Sequence, residues 1–480
     1  MSEKGGYLVA EKEVKGEKDE RSKLEKELFS EHKSAWELLA EEKKIAMKYT
    51  DDYKEFLDAN KSEREIVSWT ERLAKKNGFV SIEEAGASTK KIYAINHHKN
   101  ILLVEVGKDG LTKGTRIIGS HIDTLRLDLK LSPIYESEPF AMINLHYYGG
   151  IKKYQWLNVP LSMHGVVFNK KGEKIDVTLG EKEDEPVFVI SDLLPHLEGA
   201  EGKEKAAKDI IKGEDLDAIG ATIPIEDKKV KEKIKATFLK FFNDKYKITE
   251  DDFVSAELSL YPAVKARDVG VDAGLVGAPA HDDRVCSYTA IKALFESKSD
   301  KTRVVLLMDK EEIGSVGNTS MDSYFLENTL ERIAKMRKEN ISGREILSKS
   351  KGISGDVTSA YDSKFADKMD PMNMNKVGFG VAVEKATGSG GKYYGSDANA
   401  EYISWIRGML QESKIPWQHG EIGKVDQGGG GTIAYLLAKY NMDIVDMGTP
   451  VLAMHSPFEL ASKIDIFATY KAYKAFFEYK

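Results

Sequence analysis

Short apolar and β-branched runs separated by amphipathic stretches set the fold class of this chain. Ile101-Leu102-Leu103-Val104-Glu105-Val106, Thr115-Arg116-Ile117-Ile118-Gly119 and Thr302 to Met308 are too short for helices and too apolar for loops. They read as strands buried on both faces. Val377 to Val383 and Met442 to Met447 add further strand candidates, with helical patterns at Ser287 to Glu296, Ala398 to Gln411 and Thr432 to Tyr440. Strands alternating with helices predict an α/β fold: a mixed central sheet with helices on both faces. The first two runs, on either side of a Lys108-Asp109-Gly110 turn, are expected to be neighbours in that sheet.

Upstream, apolar residues from Leu24 to about Leu57 recur at three- and four-residue steps and predict an amphipathic helix. A second helix is expected over Glu63 to Lys76 with Ser62 as N-cap. The segment up to about Arg21 is mostly charged and reads as a solvated leader. Between about Leu129 and Val269 the texture changes, with strand candidates Gly165 to Phe168 and Val187 to Ile190 set in Gly- and charge-rich connections. The Glu198 to Lys229 part is dense in charge and reads as a solvated loop or exposed helix. The expected organisation is a discontinuous domain, 1–128 with 270–480, interrupted by a β-rich inserted module at 129–269.

Lys and Arg total 71 against 78 Asp and Glu, a net charge of −7, so no broad basic field is available for nucleic acid. The single cysteine, Cys286, excludes an intrachain disulfide and a Cys-rich zinc site, and points to a reducing compartment. Met1 to Glu20 lacks the apolar core of a signal peptide, and no stretch approaches about eighteen consecutive apolar residues. A cytoplasmic protein without a membrane partner is expected.

Five motifs sit at or just after strand candidates, where open α/β sheets place ligands. In Gly119-Ser120-His121-Ile122-Asp123, His121 offers a ring nitrogen to a metal and Asp123 can orient it; alone, the pair is better read as a hydrogen-bonded structural histidine. The Asp282-Asp283 step at a helix entrance suggests either an N-cap or a cation. Glu311-Glu312 follows the most apolar strand, where two desolvated charges are costly without a partner. Asp356, in Ser354-Gly355-Asp356, is a turn residue or an oxygen ligand, and His455, in Ala453-Met454-His455-Ser456, a core histidine or a nitrogen ligand. Together these residues supply the nitrogen and oxygen donors that a pair of divalent ions requires. A carboxylate bridging both ions and an unliganded glutamate as base would make a hydrolytic centre.

The Gly388 to Gly391 and Gly428 to Gly431 runs lack phosphate-loop spacing and read as substrate-facing loops. Cys286 reads as a small buried residue, and His146, before Tyr147-Tyr148-Gly149-Gly150, is a weaker candidate to reach the site from the inserted module.

With these five motifs in this order over nearly its whole length, the chain resembles the M18 family of metalloaminopeptidases, the aminopeptidase I and aspartyl aminopeptidase group. The M42 family shares the Asp-Asp-Arg and Glu-Glu-Ile-Gly elements, but the Met-His-Ser ending and the long module after His121 favour M18. The resemblance implies a di-zinc peptidase fold in which His121, Asp282 and Asp356 hold one metal and Asp282, Glu312 and His455 the other. It implies that Glu311 is the general base, that Asp123 supports His121, and that Asp282 rather than Asp283 bridges. The two divalent ions would be Zn²⁺, with Co²⁺ or Mn²⁺ suited to the same ligands. The substrates would be short peptides with a free N-terminus, and the inserted module would build dimers and then a homododecamer. Trp156 to Leu161 replaces a more charged stretch of the family pattern, which leaves neutral and acidic first residues both open, with Lys385 as a substrate contact. The competing readings are a di-metal deacylase or carboxypeptidase on a related fold, and a non-catalytic oligomeric scaffold.

Overall fold

The computed structural model describes residues 22–197 and 210–480. The charged leader lies outside these residues, as does the first part of the charge-rich stretch from Glu198. The chain divides into two units, Met1–Lys33 and Ser34–Lys480. In the first, Ser22 and Glu25 form a reciprocal cap on the short helix Lys23–Leu28. The second unit begins with Ala35–Leu38, a 3₁₀ turn at Ala40–Glu42 and the helix Lys43–Ala59. The amphipathic stretch expected as one helix is therefore broken: Ser34 caps a new start by accepting from the Trp36 backbone N–H.

The helix Glu63–Lys76 starts at Ser62, which exchanges hydrogen bonds with Glu65 in a capping box. It is the one helix whose two ends coincide with the sequence expectation.

A nine-stranded sheet runs in the order Val80–Ser81, Lys91–Asn96, Asn100–Glu105, Thr302–Met308, Thr115–His121, Lys351–Ser354, Asp443–Gly448, Val381–Glu384 and Trp417–His419. Thr302–Met308 explains its layers. Val305 and Leu307 point into one apolar core, where they meet residues of Lys43–Ala59, His281–Glu296 and Lys463–Glu478. Val304, Leu306 and Met308 point into the other, against Phe325–Met336 and Ala434–Ala438. Alternation along a strand buried on both faces thus places helices on both sides of the sheet.

Asn100–Glu105 and Thr115–His121 share this sheet but are not neighbours. Thr302–Met308 lies between them, antiparallel to the first and parallel to the second. The Lys108-Asp109-Gly110 turn consequently spans a strand and does not close a hairpin. Val381–Glu384 is shorter than the expected 377–383 run, because the Gly378 and Gly380 backbone N–H groups donate to the buried Asp465 carboxylate.

A six-stranded antiparallel sheet occupies the chain between Arg126 and Pro262. Its apolar core includes Leu145, Leu161, Met163 and Leu260, with Phe238 and Phe242 of the helix Lys233–Tyr246. Leu161–Phe168 is one of its strands, whereas Phe188 and Val189 form only isolated bridges. The described part of the charge-rich stretch contains a 3₁₀ turn, Gly213–Asp215, and the strand Ala218–Ala221. A third sheet, of five strands, places Glu459–Ser462 between Leu275–Ala278 and Pro450–Leu452.

Candidate metal centre

Four adjacent strands, Thr302–Met308, Thr115–His121, Lys351–Ser354 and Asp443–Gly448, are mutually parallel and bring their carboxyl ends to one edge. His121 ends the second of these, and Glu311 and Glu312 open the 3₁₀ turn just beyond the first. Asp356 follows the third, and His455 follows the short strand Pro450–Leu452 that continues the fourth. Asp282 enters the same cleft from the start of the helix His281–Glu296.

Asp282 stands between the two histidines of this group. Its Oδ1 lies 3.1 Å from Nε2 of His121, and its Oδ2 lies 3.2 Å from Nε2 of His455. His121 Nε2 is also 3.7 Å from Asp356 and 4.0 Å from Glu311, while His455 Nε2 is 3.5 Å from Glu312. Donor atoms of His121, Asp282 and Glu312 fall within 4.8 Å of one another, and so do those of His121, Glu311 and Asp356.

Asp283 turns away. Its Oδ2 accepts a hydrogen bond from Ser120 at 2.5 Å, and burial pushes its carboxyl well above the usual range. Asp282 departs in the opposite direction: burial works against its charge, but the two histidines hold it below the ordinary value. The two consecutive aspartates therefore occupy different environments, one among imidazoles and one beneath Ser120.

Asp123 lies behind the cleft. Its carboxylate accepts the Glu311 and Glu312 backbone N–H groups at 3.1 and 3.2 Å, and Oδ1 stands 3.4 Å from Nδ1 of His121. That Nδ1 is also 3.0 Å from the Asp123 carbonyl oxygen, which leaves Nε2 free for the cleft. One aspartate thus fixes both an imidazole and the turn that carries two glutamates.

The donor set fits divalent cations on physical grounds. Burial, with neighbouring carboxylates, pushes Glu311 up to about 8 and Glu312 well above the usual range, and burial lifts Asp356 as well. Glu312 Oε1 is buried and has no hydrogen-bond partner among the described residues. Four carboxylates and two imidazoles in one cleft repel or go unsatisfied unless cations lie among them.

Three residues given no role of their own in the sequence reading also shape the cleft. Tyr148 donates to Asp123, the Gly150 carbonyl oxygen lies 3.1 Å from His455 Nδ1, and Glu459 accepts two backbone N–H groups of the site. His146, in the same stretch as the first two, is exposed, and its Nδ1 lies 2.8 Å from the Tyr147 carbonyl oxygen. The alternation of Ala141, Ile143 and Leu145, all buried, marks that stretch as a strand and was the available signal. Lys385 pairs with Asp397.

Residues 56–477 match the family model described as aminopeptidase I zinc metalloprotease, M18. A probable M18 family aminopeptidase 1 of Clostridium acetobutylicum is 43% identical over 460 residues, 94% of this chain and 99% of the relative. The crystal structure of an M18 family aminopeptidase from Thermotoga maritima superimposes with a TM-score of 0.90 at 42% identity, covering 94% of this chain and 99% of that chain. A more distant structure, the S. cerevisiae mApe1 dodecamer, shares the fold with a TM-score of 0.72 at 22% identity, covering 90% of this chain and 96% of that chain. The chain belongs to the M18 family of zinc aminopeptidases, which are hydrolases.

Proposed function

We propose that His121, Asp282 and Asp356 hold one divalent ion and that Asp282, Glu312 and His455 hold the second, with Glu311 as general base and Asp123 as support for His121. The observation that carries this reading is the pair of distances at Asp282, one oxygen facing each histidine. Zn²⁺ is the expected ion, in keeping with the family description. Two such ions, when bound, lower the pKa of a water and polarise a carbonyl.

The chain's own groups supply the rest. Glu311 is the more open glutamate, its side chain 19% exposed against 4% for Glu312, which suits one to proton exchange and the other to permanent ligation. Its carboxylate takes a proton from the attacking water and returns it to the departing amine nitrogen. Asp123 keeps Glu311 in place through the backbone of the turn, and the Nδ1 contacts fix the His121 ring.

The substrates on this reading are short peptides with a free N-terminus. Lys385 pairs with Asp397 at the surface, an exchangeable exposed ion pair, so neutral and acidic first residues both fit this reading. The segment 129–269 is read as a dimerisation and gating module of a homododecamer. The dodecameric S. cerevisiae relative and the exposed apolar side chains of Leu131 and Ile223 support that assembly. Light scattering that gives a stable monomer at working concentration overturns the assembly. The protein is assigned to the cytoplasm on its lone buried thiol; among the described residues no helix is long and apolar enough to cross a membrane.

The test is a panel of aminoacyl amides beside their N-acylated equivalents, run with metal-stripped and metal-restored protein. Turnover of free-amine compounds that returns with metal is expected. Turnover of only the blocked compounds overturns the aminopeptidase in favour of a deacylase.

A further inference from the structure

We propose that Glu459 is a positioning residue of the centre: its single buried carboxylate clamps the two loops that carry Asp282 and His455, and so fixes the separation of those two side chains. The inference rests on the two-metal reading of the cleft.

One Glu459 oxygen, Oε2, accepts the backbone N–H of Asp282 at 3.0 Å, and the other, Oε1, accepts the backbone N–H of His455 at 2.8 Å. The residue is 2% exposed, so both bonds are made out of competition with water. Asp282 and Glu459 are 177 residues apart in the chain, and the contact is tertiary.

The topology explains why this position meets both loops. Glu459–Ser462 is the middle strand of three, antiparallel to Leu275–Ala278 on one side and to Pro450–Leu452 on the other. The first flanking strand runs on into Asp282, and the second into His455. Because the middle strand points the opposite way, its first residue lies at the ends of both neighbours, and Glu459 is directly paired with Ala278. No other position on that strand reaches both departing loops at their starts.

The loops need such a hold. Ala280, Ala453 and His455 have left-handed backbone, with φ of 64°, 56° and 67°, although none is glycine. Side-chain-bearing residues in that region persist only where surrounding contacts hold them. Two hydrogen bonds to one fixed carboxyl group provide that restraint at the ligand-bearing residues themselves.

Glu459→Gln keeps the volume but leaves only one accepting oxygen, so one of the two N–H groups loses its partner. Zn²⁺ is withdrawn stepwise from the full-length holoprotein by graded chelator, and the two release steps are compared between wild type and variant. The expected result is that one ion is loosened by about 10–100-fold and the other by clearly less, since only one side of the pair includes His455. Urea midpoints of the metal-stripped proteins are expected to coincide. Two steps at wild-type affinity overturn the proposal. Equal loosening of both steps with a lowered urea midpoint also overturns it, because that is the mark of a merely structural residue. Glu459→Asp, too short to reach both loops, is read by the same titration if the amide variant does not accumulate folded. A wild-type protein that releases fewer than two ions overturns the two-metal centre itself, and the clamp with it.

Discussion

Tyr148 donates a hydrogen bond from its phenol to Oδ2 of Asp123 across 2.9 Å. Tyr148 ends the strand Phe140–Tyr148 of the six-stranded sheet, whereas Asp123 lies just past the strand of the large sheet that ends at His121. The Arg126 guanidinium lies over the same tyrosine ring, 3.7 Å from its centroid, and is itself buried and bonded to Asp128 at 2.7 Å. The phenol is therefore held on its face and at its tip, and it transmits the position of one sheet to the acid behind the other.

Tyr148→Phe removes the hydroxyl and keeps the ring beneath Arg126. Asp123 then loses one of the donors that fix its rotamer, and the Glu311–Glu312 turn is held less tightly. A fall of about tenfold in kcat with little change in KM is expected. Steady-state kinetics on a free-amine substrate decide it, and an unchanged kcat removes Tyr148 from the positioning of Asp123.

Glu311→Gln retains the shape and the backbone bonds of the turn but cannot accept a proton. Loss of about 10²–10⁴-fold in kcat is expected, with the metal content unchanged. Metal analysis of the purified variant separates two roles, because Glu311 also lies 4.0 Å from His121 Nε2. Loss of an ion together with activity would make Glu311 a ligand.

How far the sequence could be read follows a physical division. Strand identity is local: the apolar run of Thr302–Met308 and the N-cap at Ser62 depend on neighbours within a few residues, and both could be read directly. Strand order is not local, and nothing in Ile101 to Gly119 records that Thr302–Met308 inserts between its two runs. The centre divides in the same way. His121, Asp282, Glu311, Glu312, Asp356 and His455 stand out because their chemistry is unusual at strand ends. Tyr148 acts through one bond to a distant partner and Glu459 through two, to distant Asp282 and to nearby His455, and a tyrosine in a strand or a glutamate at a strand start has no unusual spacing.

His164 predicts a pH dependence of stability. Its ring nitrogens lie 2.9 Å from Glu65 and 3.0 Å from Glu181, joining the helix Glu63–Lys76 to the six-stranded sheet. Burial opposes its charge, but the two carboxylates win and hold the imidazole above its ordinary 6.5. Glu181 is correspondingly lowered to about 2, burial being outweighed by His164 and the nearby cations. A raised histidine contributes fully below its unfolded value and loses that contribution as pH rises through the folded one. The lowered carboxylates contribute above their unfolded value and lose it as pH falls towards the folded one. The contact is thus strongest between about pH 4.5 and 6.5. His164→Gln is expected to cost about 1–3 kcal/mol near the middle of that window and clearly less at about pH 9. Urea unfolding of both proteins at the two values measures the difference, and a pH-independent cost shows that the ring acts through packing alone.

Removal of the ions should be felt by the whole molecule and not only by the reaction. Asp282, Glu312, Asp356 and Glu311 crowd two imidazoles, and Glu312 Oε1 has no hydrogen-bond partner among the described residues. Cations bound among these groups favour the folded form by mass action, by about 2.7 kcal/mol when the free ion stands at 100 times its Kd. Exhaustive chelation is therefore expected to lower the thermal midpoint, and Zn²⁺ to restore it without added substrate. Asp282→Asn should blunt that response most, because its two oxygens stand 3.1 and 3.2 Å from the two histidines. A thermal midpoint that ignores chelator in the wild type would mean that the cleft holds no structural charge deficit, and the repulsion argued for its carboxylates would be answered by protons instead.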